Sequence, residues 1–168
     1  MTGERARMSQ FTVIHLQRDR LDEALPLVRM AAPTATADQW RKFVGWLGRN
    51  DGGVLAAFAG DGRPHGIAAF RTEESLSLGR ALHVEPMVTF ELSRSAPVRT
   101  ALCQALELLA VARKCDNLVI VTGSRGYVNP HCQKAAGWAD LGLNITSVAL
   151  TKPLEPMAAQ GPLLSLCK

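Results

Sequence analysis

The run Ala81–Lys114, ALHVEPMVTFELSRSAPVRTALCQALELLAVARK, decides the fold. It reads as a buried strand, a polar turn rich in Arg and Ser, and a long helix. Ala81–Phe90 is the strand. Pro86 lies inside it, and because proline cannot donate to a strand ladder the run predicts a bulge or an edge there. Pro97–Lys114 has helical spacing, with Ala101, Leu102, Ala105, Leu106, Leu108, Leu109 and Ala112 on one apolar face. Pro97 fits the first helical turn, where a missing N–H removes no intrahelical bond, and Arg113 and Lys114 fit the negative end of the helix dipole. A strand that turns into a helix is a common anion site. The first N–H groups of the helix have no partner within it and carry partial positive charge.

Upstream, Phe11–Leu16 is β-rich and predicts an opening strand. Arg20–Ala31 repeats apolar residues at helical spacing, with Pro26 either in the first turn of a later-starting helix or at a kink. Thr36 is a plausible N-cap for a helix over Ala37–Leu47, which Gly48 and Asn50-Asp51-Gly52-Gly53 would stop. Val54–Ala59 and Gly66–Arg71 flank Gly60-Asp61-Gly62-Arg63-Pro64-His65 and predict an antiparallel hairpin. Glu73–Arg80 reads as a polar loop.

Downstream, Asn117–Thr122 is a continuous apolar run and predicts a strand buried on both faces. Gly123–Gly126 is a turn. Asn129–Ala136 predicts a short helix with Gly137 as its C-cap and Trp138 packing back, and Ile145–Thr151 a last strand. The order β-α-α-β-β-β-α-β-α-β implies a mixed sheet with helices on both faces, of the α/β or α+β class.

The 168 residues, 47% of them hydrophobic, suffice for one domain with a core and are too few for two. The expected organisation is a disordered leader over residues 1–9, a single domain over 10–152 and a Pro-rich tail over 153–168. No apolar run approaches the roughly 20 residues of a membrane span, and the polar start MTGERARMSQ lacks the pattern of a secretory signal, so the expected location is the cytoplasm. Cys103, Cys115, Cys132 and Cys167 lie far apart without metal-ligand spacing, so no disulfide framework and no metal site is expected. The net charge of +4 comes from scattered Arg and Lys, without basic runs or interleaved aromatics. That argues against nucleic acid as partner and suits a polyanionic small ligand better.

The element order and four segments carry a family resemblance. GGVLAAFAGDGRPHGIAAF (52–70), ALHVEPMVTF (81–90), ALCQALELLAVARKCDNLVIVT (101–122) and HCQKAAGW (131–138) resemble the GNAT superfamily of N-acetyltransferases over residues 10–152. The resemblance implies a mostly antiparallel central sheet with a V-shaped split between the fourth and fifth strands, in which acetyl-CoA lies. It implies an amine as acetyl acceptor, from a small molecule or peptide, with no nucleic acid, no membrane, and a homodimer as candidate assembly. A non-catalytic module on the same fold is the alternative.

Residue by residue, the resemblance places the diphosphate loop at Arg94-Ser95-Ala96-Pro97-Val98-Arg99, followed by Thr100. Arg94 keeps the family's first position, while Pro97 and Arg99 replace its two glycines. Proline removes an amide donor, and guanidinium contacts from Arg94 and Arg99 would stand in for lost amides. Met87, Val88 and Thr89 would offer backbone to the pantetheine arm and the thioester oxygen. Asn129 resembles a contact to the same arm. Glu85 and His83 are the candidate bases, two apart on a strand and so on one side unless the bulge intervenes. Gln133 stands where the family often has an acidic tyrosine; Tyr127 lies upstream, and Cys132 reads as a small buried hydrophobe. His15 reads as structural, His65 as exposed in a turn, and Trp40 and Trp46 as packing residues.

Overall fold

Gly52–Phe58, Pro64–Ser75 and Gly79–Thr89 form an antiparallel meander, and apolar residues on both faces of it bury the sheet between two helical layers. The structure, a computed structural model, describes residues 11–92, 95–121 and 137–144. The chain divides into two units, Met1–Val128 and Asn129–Lys168. The first unit contains β1 (Thr12–His15), a 3₁₀ turn (Arg18–Ala24), α1 (Leu25–Ala31) and α2 (Ala37–Arg49). The meander strands follow as β2, β3 and β4, then α3 (Pro97–Ala112) and β5 (Asn117–Ile120). The sheet order is β1-β2-β3-β4-β5, all pairs antiparallel except β4 with β5.

Period-2 alternation sorts the sheet's side chains onto two faces. Val54, Ala56, Phe58, Ile67, Ala69 and Val88 join Leu21, Leu27, Trp40 and Leu47 under the 3₁₀ turn, α1 and α2. Leu55, Ala57, Ala68, Phe70, Leu82 and Val84 join Val98, Leu102 and Leu106 of α3. The largest of these are fully buried, and each contributes about 1.5–3 kcal/mol of transfer free energy. Gly66 lets α3 come close, since a Cβ there would lie 2.6 Å from Val98 Cγ1 and 3.0 Å from Leu102 Cδ1.

The helices follow local signals. Pro26 occupies the first turn of α1, after a 3₁₀ turn that takes the first part of the expected helix. Thr36 caps α2 in a reciprocal box: its hydroxyl accepts the Gln39 N–H, and the Gln39 side chain accepts the Thr36 N–H. Gly48 is helical, and the stop comes at Asn50 and at Asp51, which has φ 51°.

Several boundaries differ from expectation. Glu73–Arg80 is not a polar loop. β3 runs to Ser75 and β4 starts at Gly79, because charged residues pair across the hairpin, as Arg80 and Glu74 do at 3.0 Å. On α3, Leu108 and Ala112 are exposed, and Val98, Cys103 and Ala110 complete the buried stripe in their place. The described residues of β5 are partly exposed rather than buried on both faces. In the second unit Gly137 is not a C-cap. Helical backbone continues to Ala139, and the left-handed glycine is Gly142, with φ 75°. The expected leader, the helix over 129–136, the last strand and the tail lie outside the described residues.

Candidate functional site

β4 changes phase in its middle. Phe70 pairs with Val84 and Ala68 with Met87, so Glu85 and Pro86 together oppose Ala69, with a cis peptide between them. This is the bulge expected from Pro86. Its consequence is visible in the core: Leu82 and Val84 face α3, and beyond the bulge Met87 faces α3 while Val88 faces the opposite layer. β4 is an interior strand, so the edge reading of Pro86 does not hold.

Among the described residues, the pairing with β5 stops at the bulge. The parallel ladder covers Ala81–Val84 against Asn117–Ile120, with one further bond from the Val121 N–H to the Val84 carbonyl. Below it the two strands are tied shut. Arg80 N–H donates to Asp116, and Asp116 N–H donates to the Arg80 carbonyl. Above it, among the described residues, β4 has no partner on that side. Phe90 N–H donates to His65 O on the β3 side, so by alternation the main-chain groups of Met87 and Thr89 point away from β3, toward the split. Among the described residues the strand thus has an unpaired edge beginning at the bulge, toward which the main-chain groups of Met87 and Thr89 are turned. Alternation turns the main-chain groups of Val88 the other way, toward β3.

The next described element in the chain is α3. Ala96 is the N-cap residue in a left-handed conformation, φ 47°, and Pro97 follows as the first helical residue. The expected loop residues Ser95, Ala96, Val98, Arg99 and Thr100 therefore surround a helix N-terminus, and Arg94 lies outside the described residues, as do Asn129, Tyr127, Cys132 and Gln133. The N-terminal donors are already engaged. Glu91, just beyond β4, accepts the Arg99 N–H at 2.7 Å through Oε1 and the Val98 N–H at 3.3 Å through Oε2. Thr100 N–H closes the first turn on the Ala96 carbonyl. Pro97 has no N–H to give. A carboxylate of the chain itself thus sits where an anionic ligand would bind. The sequence reading missed Glu91 because the cap reaches the helix from a strand end, outside the local N-cap pattern.

The candidate bases are placed differently from one another. Glu85 is in the bulge, exposed, and without an ion pair among the described residues. His83 lies opposite Arg71 in the ladder, with its side chain 14% exposed and its Nε2 4.0 Å from Glu73 Oε1. Its Nδ1 is buried without a hydrogen-bond partner among the described residues. Arg71 holds the other Glu73 oxygen at 2.9 Å and lies over the Trp46 ring. Glu73 was missed because Glu73–Arg80 looked like a polar loop, and Arg71, at the end of a predicted strand, because its partner Glu73 was placed in that loop. Trp40 is a core residue whose indole N–H donates to the Leu21 carbonyl at 2.9 Å, while Trp46 is partly exposed. His65 is held between Phe11 and Phe90, with Nε2 3.3 Å from Asp61, rather than free in a turn. Burial, helped by the Arg113 charge, lowers the His15 pKa. Burial pushes the Cys103 thiol up to about 11, which suits an inert packing residue.

The same architecture is found in solved acetyltransferase structures. An acetyltransferase of Trypanosoma brucei superposes with TM-score 0.66 at 16% identity, over 86% of this chain and 99% of that one. The aminoglycoside N-acetyltransferase AAC(6′)-Iy in complex with CoA gives TM-score 0.71 at 14% identity, over 90% and 99%. The chain has the GNAT acetyltransferase fold. Glucosamine-6-phosphate N-acetyltransferase from Arabidopsis thaliana, at TM-score 0.65 and 12% identity over 86% and 99%, shares it too. No protein-family model matches the sequence, and no curated protein matches it either. Among the described residues no cluster could hold a metal ion, and no helix is long and apolar enough to cross a membrane.

Proposed function

We propose that the chain is an acetyltransferase that moves an acetyl group from acetyl-CoA to an amine of a small-molecule or peptide acceptor, in the cytoplasm. The observation that carries this reading is the edge of β4 that, among the described residues, is unpaired from the bulge onward, with the N-terminus of α3 following it in the chain. Bound acetyl-CoA would supply the thioester. The main-chain groups of Met87 and Thr89 would orient its arm and polarise its carbonyl, in a split whose lower end Asp116 and Arg80 hold closed. Glu85 takes the proton of the attacking amine as the new carbon–nitrogen bond forms and the carbon–sulfur bond breaks, and the departing thiolate gains a proton from solvent. His83 is the second candidate for that base.

The start of α3 fits a diphosphate only if Glu91 yields. In this reading Glu91 is an internal anion that the donor displaces, with the side chains of Arg94 and Arg99 adding charge-assisted contacts. The engaged amides are also what favours the second reading, a non-catalytic module on the same fold. An assay of acetyl transfer to a panel of primary amines separates the two. Turnover lost in Glu85→Gln and retained in His83→Gln is expected. No turnover with any amine, together with no binding of acetyl-CoA, leaves the module.

A further inference from the structure

We propose that the cleft between the 3₁₀ turn and α2 is a binding site for a small phosphorylated molecule, separate from the acetyl-CoA split. The cleft has a volume of about 650 Å³, within the range that small-molecule sites occupy. Four cationic side chains line it: Arg18 from the 3₁₀ turn and Arg41, Lys42 and Arg49 from α2. Leu21 and Val44 form its apolar floor. Both belong to the core layer beneath, so the floor is fixed.

Helical geometry explains the convergence. Arg41, Gly45 and Arg49 are spaced by four residues, so they lie along one stripe of α2, with Lys42 beside it. Gly45 leaves that stripe open, and Arg49 folds back over the gap: its Nη1 would lie 3.7 Å from a Cβ at Gly45. The walls are held in place by two bonds between the elements. Trp40 Nε1–H donates to the Leu21 carbonyl, and Arg41 reaches Asp22.

The charges are not balanced. The acidic side chains that border the cleft, Asp22 and Asp38, are both taken by Arg41. Asp19, also on the 3₁₀ turn, acts on Arg20, whose pKa it helps to raise. Arg18, Lys42 and Arg49 have no acidic partner among the described residues. Three uncompensated cations, two of them guanidinium forks, around an apolar floor match a compact anion with several oxygens on an organic body. A phosphate or diphosphate ester is that kind of ligand, since a guanidinium pairs two phosphate oxygens at once. This assignment does not depend on the acetyl-transfer reading.

The test is calorimetric titration of the full chain with inorganic pyrophosphate at low salt. Wild type is expected to bind, with affinity falling as salt rises. Arg49→Ala and Lys42→Ala should each weaken binding by on the order of tenfold, the size of one charge-assisted hydrogen bond. A triple variant, Arg18→Ala with Lys42→Ala and Arg49→Ala, should show none. These side chains are exposed, and an unchanged melting curve confirms that the variants fold. Saturating CoA should leave the pyrophosphate heat unchanged. The proposal is overturned if wild type gives no heat, if the triple variant binds like wild type, or if CoA abolishes binding, which would put the pyrophosphate at α3. Cation-dependent pyrophosphate binding in a chain that fails to bind CoA would uphold the cleft and remove the acetyl-CoA reading alone.

Discussion

Glu91 Oε1 accepts the main-chain N–H of Arg99 at 2.7 Å, so the strand that opens the split also caps the helix at its mouth. The carboxylate satisfies two of the donors that every helix leaves open, and it sits at the positive end of the α3 dipole. Glu91→Ala should therefore destabilise the fold by about 1–2 kcal/mol, as a lost N-cap does. Urea denaturation with an unchanged slope checks it. The same substitution frees Val98 and Arg99 N–H for a ligand, so stability and anion affinity should move in opposite directions.

Gly66 sets the distance between β3 and α3. Gly66→Val would drive carbon atoms into Val98 and Leu102, both on the buried stripe of α3. Overpacking of this kind costs about 1–3 kcal/mol. Thermal unfolding of the variant should show that loss. Ligand affinity should fall as well, because α3 carries the amides at the end of the split.

Trp40 ties α2 to the 3₁₀ turn through a buried hydrogen bond from its indole N–H to the Leu21 carbonyl. Trp40→Phe keeps most of the apolar bulk and leaves that carbonyl without its donor. A loss of about 1–3 kcal/mol is expected in chemical denaturation, the cost of one unsatisfied buried group.

His15 makes stability depend on pH near neutrality. Its pKa is lowered from 6.5 in the folded chain, first by burial and then by the Arg113 charge. A group whose folded pKa is depressed binds protons more readily when the chain is unfolded. Stability is then lost as pH falls through 6.5 toward the lower folded value. Melting temperatures measured from neutral pH to mildly acid pH should drop, and His15→Gln should flatten part of that drop. An unchanged pH profile in the variant would assign the loss to other groups.

The scaffold was legible in the sequence because its signals are local. Pro86 announced the bulge, Thr36 announced the start of α2, and the apolar runs around the Gly/Asp/Pro turn announced the hairpin of the meander. Of the candidate site, the sequence announced the kink in the strand backbone but not the contacts around it. The positions of Met87 and Thr89 follow from the bulge, whereas their unpaired edge depends on where β5 stops pairing. Glu91 was not legible because its partners are seven and eight residues away, across a turn whose shape depends on Ala96 adopting a left-handed conformation. Glu73 was hidden by charge: a run of Glu, Ser and Arg reads as a loop until the opposite strand pairs its charges. The basic cleft was hidden for the opposite reason. Its cations are far apart in sequence, at Arg18 and along α2, and packing alone brings them together.

The central claim is that acetyl-CoA binds at the β4 split in competition with the Glu91 carboxylate. Calorimetric titration of acetyl-CoA into wild type and Glu91→Ala tests it most directly. The account predicts saturable binding in both, tighter in the variant by on the order of tenfold, the size of a charge-assisted contact released to the ligand. No binding in either protein, or weaker binding in Glu91→Ala, would contradict it.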